Sequence, residues 1–238
     1  LLTIVPDEET GGAYGTKWLS ENGYVKGDWG IVAEPTGMDN IEVGQKGTMG
    51  MNLYAEGTTA HGSLSPYVGE NAIDKLVRLL PQMYQLRELH GTYEGEVAEV
   101  MEVSRKKAKS VQKAEGVENI MDHVTVNIGT IQGGVKRNVV ADSAMAELDV
   151  RVPIGVNHED VIKKVDEIIE KSGITGVHAT YDNPRGGNLV SVKDPIVKTA
   201  SECIKELLGI DLIAAYQWAS SDTRYFREAG ISTIQYGP

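Results

Sequence analysis

Residues 48–55 have the sequence Thr48-Met49-Gly50-Met51-Asn52-Leu53-Tyr54-Ala55, in which apolar side chains occupy every second position from Met49 onward. Strict alternation of this kind predicts a half-buried β-strand. The chain that follows predicts a helix kinked by a proline, two strands joined by a glycine-containing turn, a second helix and a last strand. These segments lie at 70–88 (kinked at Pro81), 124–128, 144–152, 158–172 and 177–181. Their order is that of a ferredoxin-like α+β layer, in which two helices cover one sheet.

The segments on either side of this layer have a different pattern. Apolar runs at 1–5 and 29–33 predict strands, with a short helix at 12–22 between them. Towards the end of the chain, a helix that begins at Asp194 precedes two further strands. Strands that alternate with helices in this way predict an α/β domain.

The fold class expected is therefore α/β, with an outer α/β domain interrupted by an inserted ferredoxin-like α+β domain. The outer domain would comprise 1–47 and 184–238, and the inserted domain 48–183. Within the insertion, the charged stretch 88–122 predicts only a surface loop or a short helix.

Composition and charge exclude several classes of function. The 238 residues are 41% apolar and carry a formal net charge of −11, so nucleic acid, which needs a concentrated basic face, is not an expected partner. No window approaches the roughly 18 uninterrupted apolar residues of a membrane span. The single cysteine, Cys203, lies on an apolar helical stripe and is expected to pack in the core. A cytoplasmic location is expected from this cysteine usage.

Acidic side chains follow both of the first two predicted strands. Asp7, Glu8 and Glu9 come after the run 1–5, and Glu34 comes directly after 29–33. Carboxylates at the ends of neighbouring strands of an open α/β sheet converge, and a divalent cation relieves their repulsion. One of the two adjacent glutamates could bind a metal while the other takes a proton from metal-bound water. The alternative is an exposed acidic turn that caps the following helix.

Three further positions in the inserted domain could contact a ligand. His61 lies in a loop of small residues, where it is either solvated or close to a ligand. Asn138 follows a Gly-Gly turn, and Arg151 lies on the polar face of a strand, where it could bind a substrate carboxylate or form an ordinary ion pair. In the last part of the chain, Ser220, Ser221 and Asp222 either favour an anion at the helix that follows or simply cap it.

Short motifs along the whole chain occur in one order. They are Asp7-Glu8-Glu9 with Gly11-Gly12, Ala33-Glu34-Pro35-Thr36, Gly44-Gln45-Lys46-Gly47, Ala60-His61, Gly69-Glu70-Asn71-Ala72-Ile73, Gly133-Gly134, Asn138-Val139-Val140, Asp149-Val150-Arg151, Ser221-Asp222-Thr223-Arg224 and Tyr236-Gly237-Pro238. In this order they resemble the zinc-dependent amidohydrolases and metallopeptidases of the acetylornithine deacetylase, succinyl-diaminopimelate desuccinylase and glutamate carboxypeptidase family.

The resemblance implies a role for each acidic residue of the candidate site. Glu8 matches the general base of the family, and Glu9 and Glu34 match two carboxylate ligands, one for each of two zinc ions. Cobalt or manganese could replace zinc. The resemblance also implies that the outer domain is a partial zinc-peptidase-like catalytic domain and that the inserted domain, 48–183, is its lid or dimerisation domain. In this lid, His61 matches the histidine that stabilises the oxyanion, in many members from the partner subunit of a homodimer.

Asn138 and Arg151 match lid residues that recognise the carboxylate end of the substrate. The resemblance therefore implies hydrolysis of the amide bond of an N-acyl amino acid, such as acetylornithine or succinyl-diaminopimelate. A metallo-dipeptidase or carboxypeptidase acting on a small peptide is the alternative enzyme. A non-catalytic dimerisation or ligand-binding module is the alternative of another class.

The chain also departs from the family pattern. In the family, one metal histidine and the bridging aspartate precede the segment equivalent to Leu1, and the last metal histidine follows the segment equivalent to Pro238. The remaining histidines do not lie in matching contexts; they are His90, His123, His158 and His178. We therefore expect a truncated chain that by itself binds metal weakly and is inactive.

Overall fold

The computed structural model describes residues 1–238. Its strands are β1 (Trp29–Val32), β2 (Asn40–Gln45), β3 (Gly47–Glu56), β4 (Thr125–Gly133), β5 (Ser143–Val152), β6 (Val177–Asp182), β7 (Asn188–Leu189), β8 (Ile213–Gln217) and β9 (Ser232–Gln235). Its α-helices are α1 (Thr16–Glu21), α2 (Ala72–Leu79), α3 (Gly95–Gln112), α4 (His158–Ser172), α5 (Pro195–Leu208) and α6 (Thr223–Glu228). No helix is both long enough and apolar enough to cross a membrane.

The chain forms two compact units. The first, here called the α/β unit, comprises Leu1–Gly47, Thr92–Asp122 and Gly187–Pro238. The second, the ferredoxin-like unit, comprises Thr48–Gly91 and His123–Gly186. Each unit has its own sheet.

The sheet of the ferredoxin-like unit has the strand order β4–β5–β3–β6. Counted along the chain, these are the second, third, first and fourth strands of the unit, the arrangement of a split βαβ layer. β4 pairs with β5 and β3 pairs with β6, both antiparallel. The strand order agrees with the ferredoxin-like layer predicted from the sequence.

The core of this unit forms on one face of the sheet. Along β3 the side chains alternate between buried and partly exposed, and Met49, Met51 and Leu53 are fully buried. They belong to the same cluster as Leu76 of α2 and Val165 of α4. The alternation predicted for 48–55 therefore corresponds to the face that the helices cover.

The predicted helix over 70–88 is divided in two. α2 begins where the Asn71 side chain accepts hydrogen bonds from the backbone N–H groups of Ile73 (2.9 Å) and Asp74 (3.4 Å). At Leu80 the chain passes into a 3-10 helix that extends to Glu88 and has a proline at its start. A proline has no N–H to donate and its ring clashes with the preceding turn, which explains the change of helix type.

In the α/β unit the sheet is built around β2. This strand is buried at every position and pairs with β7 and β9 in the antiparallel sense and with β8 in the parallel sense. β1 lies at the edge and pairs with β9 in the parallel sense. The unit thus has the mixed α/β architecture that its alternating strands and helices predicted.

Three details of the sequence interpretation were wrong. Residues 1–5 form no strand, and Leu1, Leu2 and Ile4 are more than four-fifths exposed because no neighbouring strand of the structure pairs with them. Cys203 is exposed rather than packed in the core. The stretch 88–122 contains an 18-residue helix, α3, and its residues from Thr92 onward belong to the α/β unit instead of the inserted layer.

Two polar contacts hold α3 in the α/β unit. The Nζ of Lys107 lies 3.4 Å from Oε1 of Glu42, whose side chain is 3% exposed in the middle of β2. On the same helix, the hydroxyl of Ser104 accepts a hydrogen bond of 2.7 Å from the backbone N–H of Tyr216 in β8. These partners are distant in sequence, which is why the charge pattern of 88–122 did not reveal the helix.

Replacing Lys107 by Met is expected to lower the free energy of unfolding by about 2–3 kcal/mol, because Glu42 would be left buried without its closest cation. Arg227 still faces Glu42, so the loss stays below that of a completely isolated charge. Urea unfolding measures the change. Lys106→Met is the matched control, because the Lys106 side chain is 75% exposed and pairs only with Glu102. Equal effects of the two substitutions would contradict the assigned role of Lys107.

Candidate functional site

The acidic segment forms a tight turn at the start of the α/β unit. Glu8–Thr10 is a short 3-10 helix that ends at Gly11, whose φ of 95° lies in the left-handed region. The carboxylate of Asp7 accepts hydrogen bonds from the backbone N–H groups of Tyr14 (2.7 Å) and Gly15 (3.1 Å). Asp7 therefore stabilises the turn that presents Glu8 and Glu9.

A segment near the end of the chain holds this turn in place. The hydroxyl of Tyr225 donates a hydrogen bond of 2.5 Å to the carbonyl oxygen of Gly11, and Arg224 donates to the same oxygen at 3.3 Å. A Cβ atom at Gly12 would lie 2.5 Å from Oδ1 of Asp222, so only glycine allows this close approach. The turn and the segment around Asp222 thus form one site, although they are more than 200 residues apart in sequence.

Asp222 does not cap the helix that it precedes. It occupies the N-cap position of α6 without a side-chain capping bond, and the hydroxyl of Ser221 accepts from the backbone N–H of Thr223 instead (3.2 Å). The Asp222 side chain is 4% exposed, and neither of its oxygens has a hydrogen-bond partner. Its only cationic neighbour is Arg224, at 3.6 Å. The capping interpretation of Asp222 was therefore wrong, and a partly compensated carboxylate lies beside the acidic turn.

The carboxylates of this cluster raise one another's pKa values. Burial is the largest cause of the raised pKa of Glu8, followed by repulsion from Asp222 and Glu9; Arg224 and a hydrogen bond with the Asp222 backbone act in the opposite direction. Burial also raises the pKa of Glu34, and Glu8 is its strongest repelling neighbour. Glu34 is therefore close enough to the acidic turn to interact with it. The convergence predicted for these acids is thus observed, although the residues before Glu8 form no strand.

These acids fit part of a metal site. Carboxylate oxygens are ligands for zinc and for harder divalent cations, and the mutual repulsion and unpartnered oxygens of Asp222 favour a positive charge nearby. However, no group of three or more His, Cys, Asp or Glu side chains has the geometry to hold a metal ion. The chain thus supplies carboxylates in a suitable electrostatic environment but not a complete ligand set.

In the ferredoxin-like unit, the backbone segments that carry His61 and Asn138 pair with each other. His61 forms an antiparallel bridge with Val139, and the backbone N–H of Gly62 donates a hydrogen bond of 2.8 Å to the carbonyl oxygen of Asn138. The His61 side chain is exposed. Its Nδ1 atom accepts a hydrogen bond from the backbone N–H of Ser63 at 3.3 Å. The ring proton of a neutral His61 is therefore on Nε2, which can donate to a ligand.

Arg151 lies far from this pair. Asn138 follows the end of β4, whereas Arg151 lies near the other end of the β4–β5 hairpin and pairs in register with Thr125. At about 3.3 Å per residue, the part of β5 that precedes Arg151 spans roughly 25 Å. The Nε of Arg151 is 2.9 Å from the carboxylate of Asp149 on the same strand. Asn138 and Arg151 of one chain therefore cannot contact the same small ligand.

Asp222 and Arg224 lie at the acidic turn, but the sequence interpretation did not place either of them there. The Ser-Asp-Thr-Arg motif was noticed, yet an aspartate before a helix is also the usual signal for a helix cap. Only the packing of Gly12 against Asp222 distinguishes an aspartate that lies at the acidic turn from one that caps a helix. The glycines of the Asp-Glu-Glu-Thr-Gly-Gly turn were the one available signal that another segment approaches closely.

Comparison with known proteins identifies the family. Residues 43–177 match the peptidase dimerisation domain of the M20 family, which is more than half of the chain. The chain therefore belongs to the M20 peptidase family. It is 34% identical over 193 residues to a probable succinyl-diaminopimelate desuccinylase of Staphylococcus aureus, a match that covers 76% of this chain and 47% of that protein. It is 24% identical to aminoacylase-1 of Dictyostelium discoideum over 100% of this chain and 57% of that protein.

Solved structures show the same fold. An M20 family metallo-carboxypeptidase from Sulfolobus solfataricus superposes with a TM-score of 0.73 at 18% identity, covering 96% of this chain and 60% of that chain. Aminopeptidase PepT from Bacillus cereus gives a TM-score of 0.68 at 21% identity, covering 99% of this chain and 54% of that chain. The chain thus spans about half the length of these relatives.

Removing one acid from the cluster is expected to stabilise the metal-free protein. The folded chain binds the protons of Glu8 and Glu34 more tightly than the unfolded chain, in which they titrate near 4.5. Their contribution to the free energy of unfolding therefore falls as the pH rises above that value and is least favourable at neutral pH. Glu34→Gln should raise the free energy of unfolding at pH 7, by less than about 1 kcal/mol because solvent screens this partly exposed group.

The measurement is urea unfolding in EDTA, at pH 7 and again at pH 5, where the gain should shrink. Glu202→Gln serves as the control, because Glu202 is two-thirds exposed on α5 and lies 3.9 Å from Lys198. A loss of stability in Glu34→Gln at pH 7, with the control unchanged, would contradict the repulsive cluster.

Proposed function

We propose that this chain forms part of a metal-dependent hydrolase that cleaves the amide bond of N-acyl amino acids. The observation that carries the proposal is the cluster of mutually repelling carboxylates around Glu8, in a chain of the M20 peptidase family. Repulsion of this kind opposes folding unless a cation relieves it, so its presence supports a functional rather than a structural origin.

Glu9 and Glu34 are the residues that would hold the metal. They supply carboxylate oxygens, which suit two zinc ions, with cobalt or manganese as replacements. When bound, such ions polarise an amide carbonyl and lower the pKa of a coordinated water. Because this chain has no complete ligand group, we expect it to bind metal weakly and to be inactive without the rest of the protein.

Glu8 is the proposed general base. Its raised pKa is closer to neutrality than that of an ordinary glutamate, which is the property that efficient proton transfer requires. Glu8 would take the proton of the attacking water and deliver it to the nitrogen of the leaving amine. The hydrogen bond with the Asp222 backbone lowers the pKa of Glu8 and so favours its ionised form, the form that can accept the proton.

His61 is the proposed oxyanion donor. Because Ser63 donates to Nδ1, the proton of the neutral ring is on Nε2, where it can stabilise the negative oxygen of a tetrahedral intermediate. Its exposure leaves the Nε2 edge free to contact a substrate. Asn138, on the segment that pairs with that of His61, would bind the carboxylate end of the substrate through its amide N–H groups.

A homodimer accounts for the separation of Asn138 from Arg151. One bound substrate can contact both only if the two residues come from different copies of the chain, and the match to a dimerisation domain supports such an assembly. In this arrangement one copy supplies His61 and Asn138, while the other supplies Arg151. Arg151 would exchange Asp149 for the substrate carboxylate.

The proposed substrates are acetylornithine or succinyl-diaminopimelate. The 34% identity to a probable succinyl-diaminopimelate desuccinylase over 76% of the chain supports the second. A carboxypeptidase is the second candidate, favoured by 35% identity over 66% of the chain to a probable carboxypeptidase of Aspergillus clavatus. Both reactions break an amide bond next to a carboxylate, so the same residues serve either.

Replacing Glu8 by Gln in the full-length protein is expected to lower kcat by about 10²–10⁴-fold with little change in KM, because Gln cannot move the proton. Amine release from acetylornithine, succinyl-diaminopimelate and dipeptides is measured after metal removal and zinc add-back. Glu21→Gln, on the surface of α1, is the control. Unimpaired zinc-dependent turnover in Glu8→Gln would exclude the assigned base.

Mixing two inactive variants tests the dimeric site. If Glu8 and His61 act together from different copies, a heterodimer of Glu8→Gln and His61→Gln chains contains one intact site. Random mixing should then restore about a quarter of the wild-type activity, because half of the dimers are mixed and each has one working site. If both residues act within one copy, mixing restores nothing, and a site that Glu8 of one copy shares with His61 of the other is excluded.

A further inference from the structure

Two histidines that the catalytic proposal does not use lie together in the ferredoxin-like unit. The chain leaves this unit after Gly91 and returns to it at His123. At this point His90 and His123 form an antiparallel bridge, and the backbone N–H of Val124 donates a hydrogen bond of 2.9 Å to the carbonyl oxygen of Leu89. The two imidazoles therefore lie where the chain leaves the ferredoxin-like unit and where it returns. The segment between these two points, 92–122, contains α3.

The hydrogen-bond pattern shows that the two side chains face each other. The bond between Val124 and Leu89 flanks the His90–His123 pair, so this is a non-hydrogen-bonded pair, the kind in which side chains approach most closely. The ring centroids are 5.2 Å apart and the planes are tilted by 33°. Two imidazole nitrogens about 2.0–2.1 Å from one ion, in tetrahedral geometry, put their ring centroids roughly 5 Å apart. The observed separation of the ring centroids matches that distance.

The tautomer of His90 also leaves one ring nitrogen available for a metal ion. Its Nδ1 atom lies 3.4 Å from the carbonyl oxygen of Gly91, which can only accept. Nδ1 therefore carries the proton, and the lone pair of the neutral ring is on Nε2. A ring N–H that donates to a backbone carbonyl is the usual support of a metal-binding histidine, because it fixes the ring and leaves the other nitrogen for the ion.

The charges around the pair are largely balanced. His90 borders a groove of about 290 Å³ that Asp160, Lys163, Lys164 and Glu167 also line. Lys164 is 3.5 Å from the carboxylate of Glu88, and Glu167 pairs with Lys171 at 3.4 Å.

The carboxylate next to His123 is already engaged, because Asp122 pairs with Arg105. The two imidazoles thus lie beside carboxylates that are mostly paired with cations, and water would complete the coordination of an ion bound between the rings.

We propose that His90 and His123 form a binding site for a divalent transition-metal ion that prefers imidazole, Cu²⁺, Ni²⁺ or Zn²⁺. The site is separate from the acidic cluster, and its formation does not depend on the proposed hydrolase activity. A bound ion would link residues 90 and 123. It would therefore crosslink the two ends of the segment 92–122. Ions that require oxygen ligands, Mg²⁺ and Ca²⁺, would not bind there.

The test is a titration of the 238-residue chain with NiCl₂, followed by isothermal calorimetry. Wild-type protein is expected to bind one Ni²⁺ at this site, and His90→Gln and His123→Gln should each weaken that binding at least tenfold. The matched control is His178→Gln, because His178 also stacks on a cross-strand ring, that of Tyr54 at 5.1 Å, but has no second imidazole beside it. Affinity in this control should be unchanged.

The double variant Glu9→Gln/Glu34→Gln is a second control. Its Ni²⁺ affinity should equal that of the wild-type protein, because the acidic cluster does not contribute to the histidine site. Loss of binding in that variant would overturn the assignment to the histidine pair. So would the absence of Ni²⁺ binding in wild-type protein, or equal binding in wild-type and His90→Gln.

Electron paramagnetic resonance of the Cu²⁺-loaded chain gives a readout that does not depend on affinity. The spectrum should show coupling to two imidazole nitrogens in wild-type protein and to one in each single variant. Thermal unfolding in EDTA checks that the variants are folded, and excess Ni²⁺ should raise the Tm of wild-type but not of His90→Gln protein. Coupling to one nitrogen in the wild-type spectrum would exclude the paired site.

Discussion

The α/β unit depends on how a single buried carboxylate is compensated. Glu42 lies in the middle of β2, a strand that is buried at every position, and burial raises its pKa while Lys107 and Arg227 lower it. An isolated buried charge is costly, so the chain must bring cations to it from elsewhere. Lys107 comes from α3 and Arg227 from α6. This requirement explains why α3 leaves the inserted layer and packs in the other unit.

Arg227 shows how closely this interior is constrained. Its guanidinium donates to the carbonyl oxygen of Thr233 at 2.8 Å, to the side chain of Asn188 at 2.7 Å and to the carbonyl oxygen of Glu42 at 3.3 Å. Burial lowers the pKa of Arg227 to about 10, which still leaves it charged at neutral pH. One side chain thus joins β2, β7 and β9, and the geometry of the sheet follows from satisfying its donors.

The acidic cluster is the opposite case, because its charges are compensated only in part. Asp222 has one arginine nearby and no hydrogen bond to either oxygen, and Glu8 and Glu34 repel it and each other. Within one chain, two cations therefore face Glu42, although its Oε2 has no hydrogen-bond partner, whereas a single arginine faces Asp222 beside the acidic turn. A structural role explains the first arrangement, whereas the second is typical of a site that gains a cation or a proton during its function.

The sequence by itself determined the features that depend on local periodicity. The alternation at 48–55 corresponds to the buried face of β3, and the helical spacing at 158–172 corresponds to α4, because each pattern has the period of its own backbone. The ordered motifs also identified the family and brought Glu8, Glu9, Glu34, His61, Asn138 and Arg151 forward as candidates.

Only the tertiary structure decided the features that depend on partners distant in the chain. Residues 1–5 form no strand because no strand pairs with them, and α3 belongs to the α/β unit because Glu42 needs Lys107. The separation of Asn138 from Arg151 follows from hairpin register, which sequence spacing alone does not give. The role of Asp222 was hidden for the same reason, since a carboxylate before a helix and one packed against Gly12 look alike until the chain has folded.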